Sequence, residues 1–251
     1  MILNIAAYRF VEVEDPESLV AQLRDCAEYH GLLGTILVAR EGLNLFLAGP
    51  DQGIEAFVQR LQSDPPFAGI VIKRSHSVAQ PFARLKAKVK PEIISFRQAE
   101  AEPLAGRARV VSPAELARWI ANGKDEQGNP LVLLDTRNQQ EVAYGSFEGA
   151  MTLPIDKFTE LPAAVAECRG ALEGTTVVSF CTGGIRCEKA ALWMQSEGIA
   201  NVFQLDGGIL GYFEHVGGFG YEGRCFVFDE RIALDSQLEP LVDGRPAESE
   251  A

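Results

Sequence analysis

The string VVSFCTGGIRCEKAALWM, residues 177–194, constrains the fold more than any other part of the chain. A short apolar run reads as a buried strand, Gly183-Gly184 marks a tight loop, and the apolar spacing through Ala190, Leu192 and Met194 is helical. Two further runs, LVLLDTR and NVFQLDGG, have the same Val- and Leu-rich character, and each leads into a loop or helix. Strands that alternate with helices form a parallel sheet covered on both faces. Active sites of such sheets lie at the carboxyl ends of the strands, where Asp135 and Cys181 fall.

The chemistry follows from the same string. A loop running from Cys181 through Thr182, Gly183, Gly184 and Ile185 to Arg186 can turn several backbone N–H groups toward one sulfur, with a helix N-terminus behind it. Those groups lower a thiol's pKa and make the nucleophilic thiolate available near neutrality. Arg186 adds a permanent positive charge for an anionic substrate or intermediate. The plainer reading, a small buried hydrophobe at a strand end, leaves the glycines and the arginine without a shared reason.

The first third of the chain has a different grammar. LNIAAYRF alternates as a strand, and Pro16-Glu17 opens a helix that closes near Gly31. GTILVAR and LNLFLAG form a hairpin at Glu41-Gly42, residues 51–63 return to helical spacing, and GIVIKRS reads as a fourth strand. The order β-α-β-β-α-β is ferredoxin-like, an arrangement that hosts many functions. The whole is therefore α/β, with boundaries expected at 1–98 for this domain and its basic extension, 99–108 for a linker, 109–217 for the parallel domain and 218–251 for a C-terminal extension. Ser112, Pro113 and Glu115 have the pattern of a capped helix start. PEIISF looks strand-like, GGFGYEGRCFVFDERIAL ordered but irregular, and the polar end PLVDGRPAESEA is expected to fray.

A net charge of −12 argues against non-specific coating of nucleic acid. It hides one local exception: Lys73, Arg74, Arg84, Lys86, Lys88, Lys90 and Arg97 face a single acid, Glu92. Such a run is either a solvated face or a place where an acidic protein holds RNA. No apolar run reaches the ~20 residues of a membrane helix, and the acidic N-terminus does not read as a signal peptide, so a cytoplasmic location is expected. Five cysteines without C-x-x-C spacing point to free thiols and to no metal site.

Residues 109–217 resemble the rhodanese superfamily through Asp135-Thr136-Arg137, Glu141…Gly145…Gly149-Ala150, the Cys181–Arg186 loop and Leu205-Asp206-Gly-Gly. In that superfamily four residues between cysteine and arginine go with sulfur transfer and five with phosphatases; here there are four, which implies that the loop is too small for phosphate. A narrower resemblance joins A-R-E-G-L-N, LKAKVKPEIISF, CTGGIRCEKA and CFVFDER over residues 2–235. These pieces together resemble the bacterial tRNA uridine hydroxylase family (UPF0176-type), which contains a rhodanese domain. That resemblance implies oxygen-dependent conversion of a tRNA wobble uridine to 5-hydroxyuridine. It makes Cys181 the reactive thiol, assisted by Arg186, and the Lys86, Lys88 and Lys90 stretch a contact for the anticodon arm. It also implies dioxygen as co-substrate and an electron donor that no flavin or nicotinamide fingerprint reveals. Some relatives carry a Cys-rich tail, which this sequence lacks, and no zinc is expected.

Two alternatives stay open: a persulfide-forming sulfurtransferase, and a tRNA-binding or redox-sensing module without turnover. Cys187 is either a resolving thiol for Cys181 or a packed helix residue. Asp135 and Arg137 are expected to brace the loop rather than react. Cys26, Cys168, Cys225 and the three histidines receive no role.

Overall fold

The structure, a computed structural model, describes residues 1–241. The fraying expected of the polar end therefore lies, from residue 242 on, outside the described residues. The chain divides into two compact units, Met1–Ser95 and Phe96–Ala251.

The first unit runs β1 (Ile2–Phe10), α1 (Pro16–Tyr29), β2 (Leu33–Ala39), β3 (Gly42–Gly49), α2 (Asp51–Gln62), β4 (Lys73–Ser77) and β5 (Leu85–Val89). The sheet order is β4-β1-β3-β2-β5, antiparallel except for the parallel β2/β5 pair. Asp15 caps α1 by accepting from the Ser18 N–H at 2.9 Å, and Gly31 takes the left-handed conformation that ends it. Leu23, Ala27, Phe57 and Leu61 turn from the two helices onto Ile36, Leu43, Leu45 and Leu47 of the sheet.

Two expectations fail locally in this unit. The fourth strand begins at Lys73 rather than near Gly69. PEIISF is not a strand; LKAKV supplies the fifth strand instead. Ile93 and Phe96 are buried, which accounts for the apolar look of PEIISF. Its backbone is held by side chains: Ile93 N–H donates to Glu41 Oε1 at 2.7 Å, and its carbonyl accepts from Asn44 Nδ2 at 3.1 Å.

The second unit continues with β6 (Arg109–Val111), α3 (Pro113–Asn122), β7 (Leu131–Asp135), α4 (Gln139–Val142), β8 (Gly145–Phe147), β9 (Met151–Thr152), α5 (Leu161–Leu172) and β10 (Thr176–Phe180). It ends with α6 (Ile185–Ser196), β11 (Val202–Leu205), α7 (Gly208–Val216), β12 (Tyr221–Gly223), β13 (Cys225–Phe226) and β14 (Ala233–Leu234). Strands β6-β11-β10-β7-β9 form one parallel sheet, and β10 at its centre is buried along its whole length. The capping box at α3 is present, with Glu115 N–H on Ser112 Oγ at 3.3 Å and Ser112 N–H on Glu115 Oε2 at 3.2 Å. After α7, β12 pairs with β8 and β13 with β14, so this segment is more regular than its composition promises. Phe96 stacks on Phe158 at 4.5 Å, which places the start of the unit at that ring.

Candidate active site

Cys181 is the first residue past β10, and Phe180 pairs in register with Asp135 of β7. The chain then turns through residues 182–184 into α6. Gly184 has φ +103°, a left-handed value that disfavours any side chain, and its N–H donates to Cys181 Sγ at 3.1 Å. Gly183 has open space where a Cβ would stand and no positive φ, so only one of the two glycines is required by the turn. Thr182 Oγ1 lies 3.4 Å from Glu141 Oε1 and 3.3 Å from the Phe226 carbonyl, tying the loop to α4 and β13.

The Leu205-Asp206-Gly-Gly segment has its explanation here. Ile209 N–H donates to the Cys181 carbonyl at 2.9 Å and Leu210 N–H to the Thr182 carbonyl at 3.1 Å, so the start of α7 anchors the loop. This requires Gly208, whose φ is +62° and whose added Cβ would come within 2.5 Å of the Cys181 carbonyl oxygen.

Burial alone pushes the Cys181 thiol up. A hydrogen bond from Cys187, the Arg186 charge and the N–H groups of Arg186 and Gly184 more than reverse it, so the thiol sits well below its ordinary value. Cys187 moves the opposite way: burial and its position as hydrogen-bond donor to Cys181 keep it protonated. Neither sulfur has exposed surface. The pair is thus one thiolate and one thiol.

Arg186 donates from both terminal nitrogens to Glu141, at 2.6 Å each. Burial works against its charge, and the Glu141 hydrogen bonds and field outweigh it, leaving the guanidinium more firmly protonated than in water. Arg186 therefore acts on Cys181 by its field while its head is held by a carboxylate. Glu141 is the site residue that sequence reasoning left without a role. Its only local signal is the helix start Asn138-x-x-Glu141, whereas its partner lies 45 positions away.

Asp135 and Arg137, both fully buried, pair with each other at 2.6 Å. Arg137 also donates to the Gly145 carbonyl at 2.6 Å, and Ser146 Oγ donates to Asp135 at 2.8 Å. They fasten β8 to the end of β7, and Thr136 between them reaches the site: its Oγ1 is 3.6 Å from Cys187 Sγ. Cys225 adjoins Thr182, and burial pushes its thiol up to about 12.

The basic residues separate into two groups. Lys73 and Arg74 lie on β4, one edge of the first unit's sheet, where Arg74 pairs with Glu55 at 3.1 Å. Arg84, Lys86, Lys88 and Lys90 follow β5, the other edge, four inter-strand spacings or roughly 19 Å away. All four are exposed. Residues two apart on a strand share a face, so the four form one row at about 6.8 Å intervals. Hydrogen bonds to β2 at both ends of β5 (Gly34 N–H to the Arg84 carbonyl, Lys90 N–H to the Val38 carbonyl) carry the register past the strand.

Among the described residues, no group of three or more His, Cys, Asp or Glu side chains is arranged to hold a metal ion, and no helix is long and apolar enough to cross a membrane.

Residues 2–93 match the family model of the UPF0176 acylphosphatase like domain, and residues 112–215 that of the Rhodanese-like domain. A protein named tRNA uridine(34) hydroxylase from Xanthomonas euvesicatoria is 66% identical over 243 residues, covering 97% of this chain and 98% of its own. Its namesake from Xanthomonas oryzae is 63% identical over 99% of both chains. That from Xylella fastidiosa is 58% identical over 98% of this chain and 95% of its own. With both units matched at such identity along nearly the whole length, this chain belongs to the tRNA uridine(34) hydroxylase family.

Proposed function

We propose that this protein hydroxylates C5 of the wobble uridine of tRNA, with dioxygen as co-substrate and Cys181 as nucleophile. The observation that carries the reading is the whole-length kinship with proteins bearing that name, which takes in the unit with the basic row as well as the thiol. The loop supplies the matching chemistry: a thiolate held by backbone N–H groups beside a buried cation.

The thiolate attacks C6 of an unstacked uracil, and electron density moves to C5, which reacts with dioxygen. The Gly184 and Arg186 N–H groups, together with the Arg186 field, then stabilise the sulfur as it leaves C6. One oxygen atom enters the base and the other leaves as water, which takes two electrons and two protons. The row Arg84, Lys86, Lys88 and Lys90 suits an RNA backbone, because its spacing is close to that of successive phosphates and each contact releases counterions. Since Cys181 has no exposed surface, a base reaches it only after the loop or its β13 neighbour shifts.

Nucleoside mass spectrometry tests the reading. tRNA from a host lacking this protein is expected to lose 5-hydroxyuridine and its derivatives, and to regain them with the wild type but not with Cys181→Ser. The Rhodanese-like match and the four-residue interval favour a second reading, persulfide transfer through Cys181. An unchanged nucleoside profile in all strains would leave that one standing.

A further inference from the structure

The loop holds a second thiol that nucleophilic attack on the base does not use. Cys187 lies in the first turn of α6, has no exposed surface, and donates its N–H to the carbonyl of Gly184 at 3.0 Å, the same residue whose N–H holds the Cys181 sulfur. Thr136 Oγ1 stands 3.6 Å from the Cys187 sulfur, and the Gly184 N–H holds Cys181 from the loop side at 3.1 Å. An alanine would fill such a helix position; a buried thiol one residue beyond Arg186, in the helix turn that faces the nucleophile's loop, supplies chemistry that packing does not need. The remaining buried thiol nearby, Cys225, meets the loop through Thr182.

We propose that Cys187 is a second catalytic residue, which closes a disulfide with Cys181 in every turnover, so that the dithiol is the source of the two electrons the hydroxylation requires. The proposal rests on the hydroxylase reading and completes its balance. Cys181 thiolate forms a bond to C6, and the C5 carbanion equivalent takes up dioxygen and a proton to give a C5 hydroperoxide. Loss of the C5 proton then breaks the C6–S bond, restores the C5–C6 double bond and frees the thiolate. That thiolate attacks the distal peroxide oxygen: the O–O bond breaks, the base keeps one oxygen and takes a proton as 5-hydroxyuridine, and Cys181 becomes a sulfenic acid. Cys187, protonated and on the adjoining helix turn, attacks the sulfenic sulfur; the S–S bond forms and the hydroxyl leaves with the thiol proton as water. The sum is uridine, dioxygen and two thiols giving 5-hydroxyuridine, water and one disulfide. An external thiol or dithiol reduces the disulfide and becomes oxidised itself.

The test is a burst experiment on the full-length protein. Enzyme reduced and freed of thiol is mixed with excess undermodified tRNA in oxygenated buffer and quenched with an alkylating agent. Nucleosides and cysteine peptides are then counted together. The expected result is one 5-hydroxyuridine per enzyme with one Cys181–Cys187 disulfide, then arrest, and resumption when dithiothreitol is added. Cys187→Ala and Cys187→Ser are expected to leave Cys181 as a sulfenic acid trapped by dimedone in place of the disulfide, with steady-state turnover at limiting thiol at least tenfold lower. Continued turnover without thiol, product without disulfide, or a disulfide from Cys181 to Cys225 would overturn the proposal. Absence of product from wild type even with excess thiol would instead sink the hydroxylase reading itself.

Discussion

Charged side chains do opposite things in the two units. In the second, Asp135, Arg137, Glu141 and Arg186 are all buried, each ion pair closed by two or more short hydrogen bonds. In the first, Arg84, Lys86, Lys88 and Lys90 stand in water along one strand edge. A buried charge is costly unless it is paired and hydrogen-bonded, so its position is fixed and its loss is expensive. A solvated charge costs nothing to hold and contributes only through its field, so neighbours can replace it. The loop is therefore a device of geometry, the β5 edge one of number.

That contrast can be broken or sharpened by experiment, beginning with the largest effect. Cys181→Ser should lower 5-hydroxyuridine formation by about 10³-fold or more, as expected when an activated nucleophile is replaced by a weak one, while tRNA affinity stays within twofold or so. Loss of affinity alongside activity would mean that the thiol shapes the fold.

Next comes Arg186→Gln, which strands the buried Glu141 carboxylate. It should cost about 3–5 kcal/mol by urea unfolding, whereas Lys88→Gln should stay within about 0.5 kcal/mol. Similar values for the two would erase the distinction between the units. Gly208→Ala, which drives a Cβ into the Cys181 carbonyl at a positive φ, should cost about 1–3 kcal/mol and reduce turnover by misplacing the loop.

The edge responds differently. Replacing Arg84, Lys86, Lys88 and Lys90 together by Gln should flatten the dependence of log affinity on log salt by about 3–4 units. The same change at Lys73 and Arg74 should flatten it much less, because they lie on the opposite edge. Equal slopes from the two sets would place RNA on both edges.

The smallest effect is on pH. Because Cys181 sits below an ordinary thiol, the thiolate form persists through neutrality, and kcat/KM should fall on the acid side only beneath the usual thiol range of about 8.5. Cys187→Ala removes a hydrogen bond that favours the thiolate and should move that acid limb upward. A limb that moves down, or stays put, would show that Cys187 does not donate to Cys181.

Much of this was legible before any coordinates. Strand, loop and helix around Cys181 follow from local rules: an apolar run, a glycine that tolerates positive φ, and helical spacing after it. The ferredoxin-like order is read in the same way, from the period of apolar residues. PEIISF misled because apolar spacing records that Ile93 and Phe96 are buried but not which groups satisfy the backbone, and here Glu41 and Asn44 do so instead of a neighbouring strand.

The sequence by itself determined the order of elements in both units, the Cys181 loop and its length, because each follows from the local apolar period and from neighbouring residues. Only tertiary structure decided three matters. Arg186 is held by Glu141; Thr136 stands beside the sulfur of Cys187; and the basic stretch is split between opposite edges of a sheet. Each depends on chain crossings that bring distant residues together or drive near ones apart. Hydrogen bonds and fields act across ångströms of space, whatever the separation along the chain.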